Sequence, residues 1–194
     1  MIAVFASGSG TNAEQLILYF RESDTPVRLV VCNKPGAGVL ARAERLGVPV
    51  ALVERSVFSP SSEAGENRAF LELLENAGIR WIALAGFLQL IPGWLIAAYR
   101  HRIVNIHPAL LPAFGGKGMY GMRVHRAVKE SGARETGISI HYVNEHYDEG
   151  EIICKAVCPV FSADTPESMA KRVHELEYKH YPRVLERLIH ASIK

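Results

Sequence analysis

The sequence predicts an α/β fold with a mostly parallel sheet, helices on both faces and an antiparallel hairpin in the C-terminal part. In the N-terminal half, short apolar runs alternate with longer amphipathic stretches. This alternation is typical of a parallel sheet covered by helices. In the C-terminal half, "GISIHYVN" and "EIICKAVCPV" are separated only by "EHYDEG". A connection this short favours antiparallel pairing, so the sheet should be mixed.

The strands of the N-terminal half are the apolar runs "IAVFA", "RLVVCN", "VPVALV", "WIALAG" and "RIVNI". Helical patterns between them predict helices at residues 12–21, 39–46, 62–76 and 92–99. Gly47 and Gly78 mark two helix ends, where glycine is common. A last helix over residues 166–190 carries apolar residues at helical spacing, and Pro182 within it should kink or divide it.

Length and composition predict one domain over residues 1–194, because 194 residues with 48% hydrophobic content can bury one sizeable core. The net charge is +2 and no block of Lys or Arg occurs, which argues against a nucleic-acid partner. No signal-peptide pattern or membrane-spanning apolar run is present. Cys32, Cys154 and Cys158 form no C-x-x-C pair, so we expect reduced thiols, no zinc site and a cytoplasmic protein.

A glycine-rich turn, "SGSGTNA", follows the first strand and opens a helix. Backbone N–H groups at such a helix start favour phosphate. Gly8, Gly10 and Ala13 also match the loose dinucleotide-binding pattern, but the second strand ends in "CNK" where an acidic residue would meet the ribose. A mononucleotide or sugar phosphate therefore fits better than a dinucleotide, and a tight turn without a ligand stays open as an alternative.

Asn105 and His107 lie where the fifth strand ends, in "IVNIHP", and alternation places them on one face. An amide donor can stabilise an oxyanion and an imidazole can exchange a proton, and acyl transfer requires both functions. A carboxylate should orient the imidazole, and Asp148 in "HYDEGE" is the candidate. Taken singly, Asp148 could be a turn residue, and His107 or His141 a structural histidine.

Several spaced motifs resemble the phosphoribosylglycinamide formyltransferases of purine synthesis. The motifs are "ASGSGTN", "LAGFLQLIP", "NIHPALLP", "GISIHYV" and "DEG", which occur in this order over nearly the whole chain. The resemblance implies a Rossmann-like formyltransferase fold. It also implies transfer of a formyl group from 10-formyltetrahydrofolate, as co-substrate, to the amine of glycinamide ribonucleotide, without a metal.

The resemblance also assigns roles to individual residues. Asn105 would hold the formyl oxygen, His107 would be the general acid, and Asp148 would tune His107 and help to relay protons. The ribonucleotide phosphate would bind at Gly10, Thr11 and Asn12. The ribose and phosphate would meet Glu177 and His174, although a solvated Glu177 beside the apolar stripe is the alternative. The folate would contact Leu88, Gln89, Leu90, Ile91 and Asn105.

The segment "KGMYGMRVH" after "LLPAFGG" is longer than the corresponding link in the better-known members of this family. Its glycines predict a mobile flap over residues 113–122 that covers the folate. Methionyl-tRNA formylation and formyltetrahydrofolate hydrolysis use related chemistry but normally add a further domain, which this length disfavours. A non-catalytic nucleotide-binding module is the alternative from another class. We expect a monomer or weak homodimer.

Overall fold

The structure is a computed structural model that describes residues 1–59 and 62–192. The chain forms two compact units, Met1–Val104 and Asn105–Lys194. The division falls inside the fifth strand, β5 (Ile103–His107). Within the described ranges, no helix has the length and apolar content needed to cross a membrane.

The first unit is built on parallel strands. Its strands before β5 are β1 (Ile2–Phe5), β2 (Val27–Cys32), β3 (Val50–Leu52) and β4 (Trp81–Leu84). They pair in the order β3-β2-β1-β4, and all three neighbouring pairs are parallel. All four residues of both β1 and β4 are buried, which explains why these strands are continuous apolar runs in the sequence.

The helices of the first unit follow its strands in alternation. They are α1 (Thr11–Tyr19), α2 (Gly38–Arg45), α3 (Ala64–Asn76) and α4 (Gly93–Ala98), with a 3₁₀ turn at Arg55–Phe58. The four predicted helices are thus confirmed, with ends that differ by at most two residues. Such differences are expected at helix ends, where the hydrogen-bond ladder frays.

An aromatic cluster forms part of the first unit's core. Phe5, Phe58, Phe70 and Phe87 pack edge to face, with ring centroids 5.0 to 6.2 Å apart. Trp94 joins through Phe70 at 6.1 Å. Edge-to-face pairs contribute about 0.5–1.5 kcal/mol each beyond their buried area. The cluster therefore anchors Phe87, which begins the segment that leads into the predicted folate residues.

The second unit contains the predicted antiparallel pair. Strand β6 (Glu135–Tyr142) pairs with β7 (Ile152–Pro159) in antiparallel register. Gly137 lies where the strands approach closely, because a Cβ there would be 1.9 Å from the carbonyl oxygen of Ala156. The predicted mixed sheet, mostly parallel with antiparallel C-terminal strands, is confirmed.

Two helices of the second unit differ from the predictions. Helix α5 (Met122–Glu130) was not predicted, because few of its nine residues are buried and a glycine-rich loop precedes it. Helix α6 runs unbroken over Pro166–Ala191, so the prediction that Pro182 divides it is wrong. Pro182 is buried and costs the helix one N–H donor. A 26-residue helix with a long buried face retains its continuity despite that loss.

Candidate functional site

Four polar side chains of the second unit meet at the end of β5: Asn105, His107, His141 and Asp148, called here the His-Asp cluster. Nδ2 of Asn105 lies 3.0 Å from Nε2 of His141 and 3.3 Å from Oδ1 of Asp148. Oδ2 of Asp148 lies 3.4 Å from Nδ1 of His107. Asp148 therefore lies between the other two predicted catalytic residues, Asn105 and His107, and His141 is a fourth member.

His107 presents both ring nitrogens to oxygen atoms. Nε2 is 2.8 Å from the carbonyl oxygen of Phe114, and Nδ1 faces Asp148. An imidazolium can donate to both, whereas the neutral ring has only one N–H. Burial nevertheless lowers the pKa of His107, and the Asp148 carboxylate and the Phe114 carbonyl oppose this only in part. The ring is therefore neutral at pH 7 beside a carboxylate that favours its charged form.

Asp148 is held as a carboxylate. Burial would raise its pKa, but His141 and His107, whose ring nitrogens lie 3.6 and 3.4 Å from its two oxygens, outweigh burial, so the pKa is lowered. The N–H of Gly116 also donates to Oδ2 at 2.9 Å. The backbone of Asp148 has φ of 57°, a left-handed conformation that Asp tolerates in turns. The turn thus directs a permanent negative charge at His107.

His141 orients the amide of Asn105. Its Nδ1 lies 2.7 Å from the carbonyl oxygen of Tyr142, which can only accept, so Nδ1 carries a hydrogen and Nε2 accepts from Asn105. Gly150 makes this possible, because a Cβ there would lie 1.7 Å from the same carbonyl oxygen. The sequence left His141 ambiguous, since its partners are set by the return of β7 along β6.

Ser139 fixes the segment that follows His107. Its hydroxyl donates to the carbonyl of Ala109 at 2.8 Å and accepts from the N–H of Leu111 at 2.9 Å. The side chain is fully buried, so both bonds replace bonds to water. This pair of bonds holds residues 108–112 against β6, and thereby the end of β5. Sequence analysis missed Ser139, because a lone serine in a strand gives no signal of its own.

The predicted flap, residues 113–122, contacts the His-Asp cluster through its backbone. Phe114 has φ of 57° and turns its carbonyl toward His107, while Gly116 donates to Asp148. These two bonds join the backbone of the flap to the His-Asp cluster. The mobility of the flap stays a prediction, and its last residue begins α5.

The glycine-rich loop, residues 8–12, belongs to the first unit. Its carbonyl groups are bound by α2, since Gly8 accepts from the N–H of Val39 at 3.1 Å and Ser9 accepts from Nε of Arg42 at 2.9 Å. Gly10 has φ of 79° and precedes α1. Among the described residues, no backbone carbonyl accepts from the N–H groups of Gly8, Ser9 and Gly10. The loop therefore presents donors at a positive helix end, which suits an anion.

Replacing Gly10 by alanine is expected to weaken binding of phosphate or a ribonucleotide at this loop at least tenfold. A Cβ at Gly10 would lie 2.6 Å from that of Val39, and the positive φ disfavours any side chain. Calorimetric titration of the folded variant measures the loss. Gly65→Ala in α3 is the control, because its Cβ meets open space. Equal affinity of wild type and Gly10→Ala would contradict the loop as an anion site.

The predicted folate residues follow β4 in the first unit. Ile91 is buried, Leu88 is 40% exposed, and Gln89 and Leu90 are partly exposed. The N–H of Leu88 donates to the hydroxyl of Ser7 at 3.1 Å. The segment thus exposes apolar side chains on a backbone that is held in place, which fits a flat aromatic ligand.

The predicted ribose and phosphate residues lie on α6 in the second unit. Glu177 is 4% exposed, so the alternative that it is solvated is wrong. Nε2 of His174 lies 3.9 Å from Oε2 of Glu177, too far for a hydrogen bond. Burial lowers the pKa of His174. Glu177 thus places a buried carboxylate one helical turn from His174 on α6.

His125 of α5 is a further buried histidine that sequence analysis missed. It is 1% exposed, and its Nδ1 has no hydrogen-bond partner in the part of the chain that the structure describes. Burial lowers its pKa to about 4, and charges on His174 and His107 add to the effect. The ring is therefore neutral throughout the physiological pH range.

His125 is expected to destabilise the protein as the pH falls from 6.5 to about 4. In that range the unfolded chain binds a proton that the folded chain does not, so stability is lost on acidification. A shift from 6.5 to about 4 corresponds to roughly 3 kcal/mol. Urea unfolding at pH 7 and at pH 4 gives the loss of unfolding free energy on acidification. This loss should be roughly 3 kcal/mol smaller in His125→Phe than in wild type. His190→Phe, at an exposed position in α6, is the control, and parallel pH dependences would contradict the prediction.

Within residues 1–59 and 62–192, no group of three or more His, Cys, Asp or Glu side chains is arranged to hold a metal ion. The His-Asp cluster contains one carboxylate and two imidazoles, whose nitrogens are engaged by carbonyl, amide and carboxylate groups. Its chemistry is that of donors and a proton carrier, which suits attack on a carbonyl and stabilisation of the resulting oxyanion.

Comparisons with known proteins agree with this chemistry. The model of the formyl transferase family matches residues 1–185. A phosphoribosylglycinamide formyltransferase of Bacillus subtilis is 39% identical over 189 residues, which are 96% of this chain and 93% of that protein. A chloroplastic protein of the same name from Arabidopsis thaliana is 42% identical over 195 residues, and the match covers the whole chain but 66% of the plant protein.

Solved structures give the same result. A phosphoribosylglycinamide formyltransferase from Bacillus halodurans has a TM-score of 0.85 and 35% identity, covering 97% of this chain and 94% of the other. A glycinamide ribonucleotide transformylase from Geobacillus kaustophilus has a TM-score of 0.83 and 40% identity, covering 96% and 97%. With a family model along nearly its whole length, and relatives similar in both sequence and fold, the chain belongs to the formyl transferase family.

Proposed function

We propose that the protein transfers a formyl group from 10-formyltetrahydrofolate to the amine of glycinamide ribonucleotide, in purine biosynthesis. The observation that carries the proposal is the contact among Asn105, His107 and Asp148, which combines an amide donor, an imidazole and a carboxylate. The names of the bacterial and plant relatives support the same reaction. The proposal treats residues 1–194 as one formyltransferase domain.

The amine of the ribonucleotide attacks the formyl carbon, and negative charge develops on the formyl oxygen. Asn105 donates to this oxygen, and His107 stabilises it once the ring has taken up the proton that the attacking amine loses. Collapse of the tetrahedral intermediate breaks the bond to the folate nitrogen, which takes up a proton through His107, while the amine loses one. Asp148 favours the charged form of His107 at the point where that charge is needed.

The contacts within the His-Asp cluster suggest which of them would open during the reaction. Nδ2 of Asn105 directs its two hydrogens to His141 at 3.0 Å and Asp148 at 3.3 Å. The formyl oxygen would displace the longer contact, to Asp148, and leave the one that orients the amide. Nε2 of His107 must likewise exchange the carbonyl of Phe114 for a substrate atom. Movement of residues 113–116 would therefore accompany substrate binding.

The remaining assignments concern binding. Gly10, Thr11 and Asn12 would bind the ribonucleotide phosphate, and the position of this loop at the N-terminus of α1 supports this. Glu177 would accept from the ribose hydroxyls, with His174 near the phosphate. The folate would contact Leu88, Gln89, Leu90, Ile91 and Asn105. No metal takes part in this scheme, and a cytoplasmic monomer or weak homodimer stays a prediction.

An assay with both substrates tests the proposal directly. Purified protein should release tetrahydrofolate from 10-formyltetrahydrofolate only when glycinamide ribonucleotide is present, with equal amounts of formylated product. Release of formate without the ribonucleotide would instead indicate a hydrolase. Formylation of methionyl-tRNA would instead indicate a methionyl-tRNA formyltransferase. Binding of the ribonucleotide without any turnover would leave a nucleotide-binding module.

A further inference from the structure

Ser7 makes three hydrogen bonds in the first unit, at the position directly before the glycine-rich loop. Its N–H donates to the carbonyl of Gly86 at 3.0 Å. Its hydroxyl accepts from the N–H of Leu88 at 3.1 Å and donates to Oδ1 of Asn33 at 2.7 Å. Ser7 is 4% exposed and Asn33 is 5% exposed. A small buried side chain thus connects the segments that follow β1, β2 and β4.

The order β2-β1-β4 explains this arrangement. The carboxyl ends of adjacent parallel strands lie at the same edge of a sheet, so the residues that follow them are neighbours. Ser7 follows the central strand and contacts the segment after each flanking strand. Its hydroxyl acts both as a donor and as an acceptor, and each of these two hydrogen bonds has a fixed direction.

The two segments that Ser7 joins are those to which different substrates are assigned. Residues 8–12 continue the chain directly from Ser7, and residues 88–91 begin with the N–H that Ser7 accepts. Phe87 also fixes the second segment, because its ring packs 5.4 Å from that of Phe5 and 5.0 Å from that of Phe58. With Phe87 anchored, the Ser7 hydroxyl is the contact that ties the next backbone N–H to the start of the loop.

We propose that Ser7 is a positioning residue that couples the anion loop at residues 8–12 to the segment at residues 88–91, so that a ligand at one changes the other. This inference rests on the proposed function for the identity of the two substrates. Asn33 accepts the hydrogen of the Ser7 hydroxyl and thereby fixes its direction. The lone pairs of the Ser7 oxygen then face the N–H of Leu88. Coupling through such a contact is reciprocal: each ligand strengthens the other by the same factor.

A first experiment uses inorganic phosphate and does not depend on the reaction. Backbone amide signals of residues 88–91 in the wild-type NMR spectrum should shift when phosphate binds at residues 8–12. In Ser7→Ala, phosphate should still shift the loop signals, while the shifts at residues 88–91 should fall at least fivefold. Unaltered shifts in Ser7→Ala, or no wild-type response at residues 88–91, would overturn the coupling.

A matched variant separates coupling from loss of stability. Ser23 also accepts a backbone N–H, from Thr25 at 3.2 Å, and donates to a carbonyl, of Phe20 at 3.0 Å. Ser23→Ala removes a similar pair of bonds and should leave the phosphate response unchanged. Asn33→Ala, which keeps the Ser7 hydroxyl but frees its direction, should give an intermediate response. An equal loss in Ser23→Ala and Ser7→Ala would overturn the proposal.

A second experiment uses both proposed ligands. The affinity for glycinamide ribonucleotide is measured by calorimetry with and without tetrahydrofolate. The wild type should show about a fivefold or greater enhancement, and Ser7→Ala should show almost none; an unchanged enhancement in Ser7→Ala would overturn the coupling. If the wild type binds neither compound, the proposed function fails, and the phosphate experiment still decides the role of Ser7.

Discussion

Asp148→Asn is expected to lower kcat by about 10² to 10⁴ and to change KM much less. Asn is nearly isosteric, tolerates the same left-handed backbone, and can still accept from the N–H of Gly116. The variant therefore removes the charge and keeps the turn. Steady-state kinetics with 10-formyltetrahydrofolate and glycinamide ribonucleotide measure the effect. Glu149→Gln, at the exposed neighbouring position, removes the same charge and should retain activity.

The pH profile of Asp148→Asn gives a second readout. The Asp148 carboxylate raises the pKa of His107 against the larger effect of burial. Its removal should lower that pKa further, so the loss of activity on the alkaline side should move to lower pH. Asp148→Asn combined with His107→Ala should be little worse than His107→Ala alone, because the two residues act as one unit. Near-normal turnover of folded Asp148→Asn at every pH of the profile would show that the Asp148 carboxylate takes no part in catalysis.

Asn105→Ala is expected to lower kcat by about 10² to 10³, the usual cost of removing one donor to an oxyanion. The variant also leaves Nε2 of His141 without the amide hydrogen that it accepts. The measurement is single-turnover formyl transfer, which separates the chemical step from product release. Asn76→Ala, at the exposed end of α3, is the control. A single-turnover rate within threefold of wild type would rule out Asn105 as the oxyanion donor.

The sequence predicted much of the fold because several strands are simple patterns. The buried strands β1 and β4 are uninterrupted apolar runs, and a short polar connection precedes β7. These local signals match the tertiary structure. Helix α5 was missed because it is short and only three of its nine residues are buried; it packs against α6, which the sequence does not show. The continuity of α6 through Pro182 likewise depends on burial, which a single residue does not reveal.

The candidate site was predictable where its side chains lie on a single strand. It was less predictable where backbone groups from distant parts of the sequence contact these side chains. Asn105 and His107 share a face because strand side chains alternate. The carbonyl of Phe114 reaches His107 only because Phe114 has a left-handed backbone, a conformation that a non-glycine residue rarely adopts. The role of His141 depends on the close approach of Gly150 to Tyr142. Such contacts are products of the folded chain and have no local sequence signature.

The dependence of the glycine-rich loop on α2 limits how this loop could be transplanted. A designer who grafts "SGSGTN" into another strand-to-helix turn would transfer the glycines but lose Val39 and Arg42, which bind the loop carbonyls. Those carbonyls would then be free to turn toward an incoming anion and repel it. The smallest portable unit is therefore discontinuous in sequence: it comprises residues 8–12 together with the first turns of α2, held at the distance that the contact between Gly10 and Val39 sets.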